Sequence, residues 1–418
     1  MLAARLLRRL IRQGRLTVID AEGCTHVFEG AEPGPSVRIR FRSRSLNWRM
    51  FLNPMMVTGE AIMEGELVVE DGEIYDFIDL VARNMRWGQP DHWLQTVLAG
   101  LRHIGRRIAQ YNPADRSKRN VAHHYDLSGE LYRLFLDADQ QYSCAYYRGE
   151  DDDLETAQLN KKRHLTNKLL LRRGQRVLDI GSGWGGLGLH LARHGDVEVT
   201  GVTLSEEQHR VSNQRAQTAG LEERVRFDLV DYRNLTGQFD RIVSVGMFEH
   251  VGLGHYGEYF AKLRSLLTDD GVAVLHTIGR ADGPGATHPW IRKYIFPGGY
   301  SPALSEIIPF IERNGLYVTD VEVLKLHYAR TLRHWRERFQ KNREQVRKLY
   351  DDRFCRMWEL YLAGSECAFR YGGHVVFQIQ MAKQIDAVPD TRDYLYRGGP
   401  RSTISRPQTV EEADSRAA

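Results

Sequence analysis

The sequence predicts an α/β protein in which a doubly wound sheet is preceded by a smaller α+β domain, and three observations predict it. From Arg176 onward short apolar runs alternate with helical patterns, a glycine-rich turn follows the first run, and residues before about 110 follow a different grammar. The 418 residues suffice for two domains. With 42% hydrophobic and 27% charged residues, the chain is globular and neither disordered nor fibrous. A formal net charge of +4 selects neither nucleic acid nor an anionic membrane. Four cysteines are too few for a disulfide framework and favour a reducing cytoplasm. No apolar run approaches the roughly 20 residues of a membrane-spanning helix.

Met1 to Arg15 is acid-free, with Arg5, Arg8, Arg9, Arg12 and Arg15 set among leucines and Ile11. The pattern fits an ordinary first helix, a helix whose arginines touch anionic headgroups, or an organellar transit peptide. Its direct passage into the strand-like Arg15–Ile19, with no Ser-rich spacer, disfavours the last. Val37 to Phe41 alternates apolar and charged residues, as a strand with one wet face does. Gly59 and Gly65 punctuate Glu60 to Val69, and Glu73 to Met85 reads as an amphipathic helix. The polar stretch Arg106 to Asn120, carrying Pro113, is the candidate linker, so the first domain takes residues 1–110 and the second 111–395. In the second domain strands are expected at Arg176–Ile180, Val197–Val202, Val225–Val230, Phe239–Gly246, Gly271–Thr277 and His374–Met381. Helices are expected at Ser205–Ala219 and Tyr256–Leu267, with a helical insertion at about 331–362. Residues 396–418 lack apolar periodicity and read as a disordered tail.

The most specific motif is Val177 to Gly186, a strand ending at Asp179 and Ile180 and then a turn with Gly181, Gly183 and Gly185. Glycines let a backbone approach a ligand closely, and a dinucleotide loop has a similar form. Asp179 would repel a pyrophosphate, and Trp184 would crowd it. A cofactor bearing ammonium and sulfonium charges suits the acid better, and Asp-x-Gly-x-Gly-x-Gly is the pattern of class I methyltransferases, which bind S-adenosylmethionine. A purely structural glycine turn is the remaining reading. After the second strand, where many methyltransferases hold the ribose with an acid, this chain has Thr203 and Leu204, then Gln208 one turn later. Asp231 and Tyr232, after the third strand, offer a polar contact to adenine and an aromatic wall, or an ordinary loop.

The chain resembles the cyclopropane fatty acid synthases and the related mycolic acid cyclopropane synthases. The matching stretches are His124–Ser128, Gln141–Tyr146, Gly181–Gly186, Gly201–Ser205, Asp240–His250, Leu275–Gly279 and Trp290–Pro297, which together cover roughly residues 120–380. The N-terminal region resembles the lipid-binding domain of the members that act on phospholipids. The resemblance therefore implies a Rossmann-like class I methyltransferase fold behind an N-terminal lipid-binding domain. It also implies phospholipid acyl chains as substrate, a peripheral place on the inner membrane, and a homodimer. Tyr142 and Ser143 join the cofactor set by the same resemblance. Ser182 stands where relatives usually carry Cys, and Ser365 aligns with another Cys of theirs, which leaves Cys367 as a helix-packing residue.

An alkene attacks only a strongly activated methyl group, and the sulfonium of S-adenosylmethionine supplies that activation. The resulting carbocation must be shielded from water, for which Tyr142, Tyr146, Tyr147, Trp184, Phe248 and Tyr294 are aromatic candidates. A proton must then leave the transferred methyl. The resemblance places bicarbonate there as acceptor, held by Cys144, Glu249, His276, the backbone of Ile278, and Tyr328. Singly, Cys144 and His276 also read as packing residues. The competing classes are a methyltransferase that leaves a methyl or methylene branch on acyl chains, an N-methyltransferase, and a non-enzymatic lipid carrier. A nucleic-acid methyltransferase is disfavoured, because no base-reading module is evident.

Overall fold

The computed structural model describes residues 4–85 and 129–396. The expected linker at 106–120, the His124–Ser128 motif and the tail from 397 lie outside the described residues. The chain begins with α1 (Ala4–Leu10), β1 (Gln13–Ile19), β2 (Thr25–Glu29) and β3 (Glu32–Phe41). It continues through α2 (Leu46–Leu52), α3 (Pro54–Glu64), β4 (Leu67–Asp71) and α4 (Ile74–Arg83). The strands form a four-stranded sheet in the order β2-β1-β3-β4. Its apolar alternation is the one read from sequence, with Leu16, Val18, Val37, Ile39 and Phe41 buried. Gly59 does not end a helix; it lies inside α3, where the Trp290 indole packs so closely that a Cβ would sit 2.4 Å from its ring.

The second part opens with α5 (Gly129–Phe135), α6 (Leu154–Leu169), β5 (Arg176–Ile180), α7 (Gly186–Gly195) and β6 (Glu198–Thr203). Next come α8 (Glu206–Thr218), β7 (Val225–Leu229), β8 (Phe239–Val245), α9 (Tyr256–Leu266) and β9 (Leu267–Arg280). The chain then runs through α10 (Pro289–Tyr294), α11 (Leu304–Arg313) and β10 (Tyr317–Leu324) to α12 (His327–Lys341), α13 (Arg343–Leu349), α14 (Asp352–Tyr371) and β11 (His374–Ala382). Seven strands lie in the order β10-β11-β9-β8-β5-β6-β7. This is the expected Rossmann-like α/β sheet of a class I methyltransferase, with β11 running antiparallel to both β9 and β10.

Two features differ from expectation. β10 was not foreseen, because the buried position at its centre is Asp320 and its one buried apolar residue, Leu324, stands at its end. That carboxylate is held by Arg392 at 2.6 Å and faces Lys168 at 3.5 Å. The expected insertion at 331–362 is three helices, α12 to α14, broken at Asn342 and restarted at Asp351, whose side chain accepts from Phe354 N at 2.6 Å.

These helices tie the two sheets together. One hydrophobic cluster runs from Ile11 and Phe41 through Phe77 to Trp335, Trp358 and Phe369. Glu366 of α14, fully buried, accepts from Arg336 at 3.1 Å and Arg370 at 2.8 Å. Arg336 in turn lies 3.9 Å over the ring of Tyr75 on α4. Breaking a buried pair leaves a charge without its partner. Glu366→Ala should therefore destabilise the protein by about 3 kcal/mol, read as a lower thermal midpoint; an unchanged midpoint would show that the network adds no stability.

Candidate functional site

A cavity opens at the C-terminal ends of β5, β6 and β8, where the strand order reverses on either side of β5. Open α/β sheets bind ligands at this place. Tyr142, Ser143, Asp179, Gly181, Ser182, Gly183, Thr203, Leu204, Gln208, Asp231 and Tyr232 all line it. Gly185 does not. It has φ +83 at the start of α7, where a Cβ would meet Phe227 at 2.7 Å and Ser212 at 2.8 Å. Its glycine serves loop packing, whereas Gly183, at φ +55, has no atom within 4 Å of where a Cβ would project.

The glycine loop is fixed by β6, since the N–H groups of Gly181 and Ser182 both donate to Val202 O, at 2.9 and 3.0 Å. Asp179 is buried, its Oδ2 has no hydrogen-bond partner, and burial pushes its pKa up to about 7 against an opposing effect of Lys161. Ser182 Oγ is a second buried atom without a partner. Thr203 Oγ1 donates to Gln208 Oε1 at 2.8 Å, and Ser205 caps α8 by accepting from Gln208 N. Asp231 is neutralised by Arg233, which donates from Nε at 2.9 Å and Nη2 at 2.6 Å. Tyr232 meets Tyr259 edge-on, with ring centroids 5.5 Å apart. Buried polar atoms without partners, an acid and an aromatic wall suit an adenosyl amino acid bearing positive charge.

Cys144, Glu249, His276, Ile278 and Tyr328 do not line this cavity. β8 ends at Val245 opposite His276, while β9 runs on to Arg280. Ile278 N–H therefore has no β8 partner and donates to Glu249 Oε1 at 2.6 Å. Glu249 Oε2 is buried without a partner, and burial raises the pKa of the carboxyl to about 7. Gln378 Nε2 approaches His276 Nδ1 at 3.1 Å, and burial lowers the histidine to about 3, so its ring is neutral. Cys144 is fully buried and its thiol is pushed up by desolvation. It shares the large apolar cluster with Tyr328 and Ile278, and Tyr328 packs on Phe369 at 4.7 Å between ring centroids.

Of the expected aromatics, Trp184 lines the cavity and lies 5.0 Å from the Tyr132 ring. Phe248 is plain core, stacked on Tyr256 at 4.3 Å. Tyr146 stacks between His164 and His327, at 4.2 and 5.0 Å. Tyr147 lies under Arg330, and Tyr294 donates to Glu60 at 2.8 Å. Cys367 is buried in α14 as a packing residue. Sequence reasoning missed Met247, His250 and His255, which also line the cavity, and Lys161 behind it. The available signal for Lys161 was the low apolar content of α6, a helix that is nonetheless buried.

Comparison with known proteins decides the family. The mycolic acid cyclopropane synthetase family matches residues 113–379. The chain belongs to this family. It is 36% identical over 348 residues to the cyclopropane-fatty-acyl-phospholipid synthase of Escherichia coli K12, covering 83% of this chain and 88% of that one. It is also 36% identical over 406 residues to the tuberculostearic acid methyltransferase UfaA1 of Mycobacterium tuberculosis, covering 92% of this chain and 91% of that one. The crystal structure of mycolic acid cyclopropane synthase CmaA1, complexed with SAH and CTAB, superposes with a TM-score of 0.61 at 34% identity. That alignment covers 65% of this chain and 99% of CmaA1. The protein is thus an S-adenosylmethionine-dependent enzyme of the cyclopropane synthase group, and the cavity carries groups that suit such a cofactor. Among the described residues no helix is long and apolar enough to cross a membrane.

Because a side chain at Gly183 would project into the cavity, Gly183→Val should abolish binding of S-adenosylhomocysteine in a protein that still folds. Calorimetry with unchanged affinity in the folded variant would refute this placement.

Proposed function

We propose that the enzyme converts cis double bonds in the acyl chains of phospholipids into cyclopropane rings. When bound, S-adenosylmethionine supplies the activated methyl group. The alkene π pair forms the new C–C bond as the S–CH3 bond breaks, and ring closure follows when one proton leaves the former methyl. The observation that carries the reading is Glu249. A buried carboxyl, with one oxygen on Ile278 N–H and the other without a protein partner, is suited to take up a proton. Aromatic side chains packed on one another, among them Tyr142, Tyr328 and Trp335, suit a cation that must be kept from water.

The residue types also suit bicarbonate as the immediate acceptor. The Cys144 thiol, the neutral His276 ring and the Tyr328 hydroxyl can donate to a small anion, Glu249 can accept its proton, and bicarbonate would supply a compact base. The phospholipid substrate is supported by the similarity to the Escherichia coli enzyme, which covers 83% of this chain and so more than its methyltransferase part. We assign that region, residues 1–110, to lipid binding, with 111–395 as the catalytic domain, and propose a homodimer peripheral to the cytoplasmic face of the inner membrane. Arg8 and Arg9, exposed on α1, and Trp48, Phe51 and Leu52, exposed on α2, offer contacts to an anionic bilayer. Replacing Arg8 and Arg9 with Gln should weaken binding to phosphatidylglycerol vesicles at low salt, and added salt should erase the difference. Equal binding at low salt would leave α1 a purely structural helix.

A second reading, a methyl or methylene branch on the acyl chain, is supported by the 36% identity to the tuberculostearic acid methyltransferase over 92% of this chain. Lipids from cells expressing the enzyme separate the two. A ring adds one CH2 and gives cyclopropyl proton resonances, a saturated branch adds CH4, and a methylene branch adds CH2 with vinylidene resonances. Glu249→Gln should lose most turnover and keep cofactor affinity. At fixed bicarbonate the wild-type rate should rise with pH through about 7 as Glu249 ionises, and activity should fall in bicarbonate-depleted buffer. Full activity of the variant, or without bicarbonate, would remove the proposed proton acceptor.

A further inference from the structure

One side of α6 carries polar groups for which the chemistry above has no use. Gln158 Nε2 donates to the carbonyls of Gln141 at 3.2 Å and Ser143 at 3.0 Å. One turn later Lys161 Nζ donates to Gln141 Oε1 and Ser143 Oγ, both at 2.8 Å. Lys161 is fully buried, and these hydrogen bonds go to neutral acceptors. Burying an ammonium without a carboxylate on it is unfavourable, so its presence calls for a reason.

The hydrogen-bond chemistry provides one. An ammonium only donates, so Ser143 Oγ accepts from Lys161 and must direct its own proton elsewhere. Ser143 lines the cofactor cavity, beside the backbone of Gly246. Asp179, whose Oδ2 has no partner, lines the same cavity and lies within electrostatic reach of Lys161. The cavity is therefore lined by an acid and, through a hydroxyl, by the influence of a cation. An amino-acid zwitterion has the complementary pair of charges.

We propose that Lys161 is a positioning residue that fixes the Ser143 hydroxyl as a donor to the α-carboxylate of S-adenosylmethionine, while Asp179 takes the α-ammonium. The proposal rests on the cavity being the cofactor site. Charged and titratable groups face Lys161 from several elements: Lys162 on α6, Asp137 and Asp139 before the loop, Cys144 after it, Asp179 on β5 and His276 on β9. Burial brings Lys161 down to about 8, so its ammonium form prevails below that pH and is lost above it.

The test compares S-adenosylhomocysteine with its decarboxylated analogue, which keeps the ammonium, by calorimetry on the full chain. Ser143→Ala and Lys161→Met should each weaken S-adenosylhomocysteine about tenfold and leave the decarboxylated analogue within about twofold. Adding Ser143→Ala to Lys161→Met should cause little further loss. The ratio of wild-type to Ser143→Ala affinity should shrink between about pH 7 and about pH 9, a comparison in which the ligand's own titration cancels. If Lys161→Met does not fold, the Ser143→Ala arms still decide. Equal weakening of both ligands by Ser143→Ala, or a ratio independent of pH, would overturn the proposal. Failure of the wild type to bind S-adenosylhomocysteine would overturn the cofactor reading itself.

Discussion

The site depends on the backbone of β9 outrunning that of β8. Gly246 N–H returns to His276 O at 2.9 Å, and the next N–H on that edge, Ile278, has no strand beside it. A buried N–H left without a partner costs about 1–3 kcal/mol. The short turn Phe248–His250 folds back and Glu249 provides the acceptor. The same turn packs Phe248 into the core and brings Met247 and His250 to the cofactor cavity. A carboxylate recruited for backbone satisfaction is thereby left with one oxygen uncommitted. Structural need and chemical capacity meet in one side chain.

The strands of the large sheet were legible because buried strands read as apolar runs between turns, and β5, β6 and β8 needed only small boundary adjustments. The cofactor loop was legible because glycine spacing and Asp179 are local signals. Gly185 shows the limit of that reading: its need for no Cβ comes from Phe227 and Ser212, far from it in sequence. β10 was hidden by Asp320, whose burial is tolerated only because Arg392 and Lys168 converge on it from other elements. Lys161 was hidden for a related reason, since nothing in a Lys-rich helix shows which lysine turns inward. The candidate catalytic positions came from family resemblance. Residue pattern alone did not pair Glu249 with Ile278, because that bond follows from where β8 stops.

The N-terminal sheet is part of the same packing problem. Its strands pack on α3 and α4, which in turn pack on α14, and α12 carries Tyr328 at one end and Trp335, buried against Tyr142, further along. Arg336 on this helix touches Tyr75 and Glu73 of the N-terminal region as well as Glu366. A rotation of α12 that exposed Arg336 to better solvation would withdraw Trp335 from Tyr142. The polar contacts to the N-terminal region thus limit the helix to orientations compatible with a closed aromatic cluster.

The remaining physical question is how charged and apolar requirements coexist within one site. Recognition of a zwitterionic cofactor needs fixed charge, whereas a carbocation on an acyl chain needs surroundings free of water and of competing nucleophiles. Under the proposed function, the Tyr142–Cys144 segment separates the two. Toward the cavity the segment presents Tyr142 and Ser143, with Lys161 held behind the latter. The Tyr142 ring, on its other side, stacks on Trp335 at 5.1 Å and its hydroxyl meets that of Tyr361 at 2.8 Å, while Cys144 is buried in the same apolar cluster. Burial keeps the thiol of Cys144 and the ring of His276 neutral, so neither adds charge to the apolar side. Lys161 donates to Ser143 Oγ within that segment and to Gln141 Oε1 just before it, and the nearby Asp137 also favours its ammonium form. In the proposed assignment, the cation that serves recognition therefore also holds the segment that keeps its own charge away from the reacting chain.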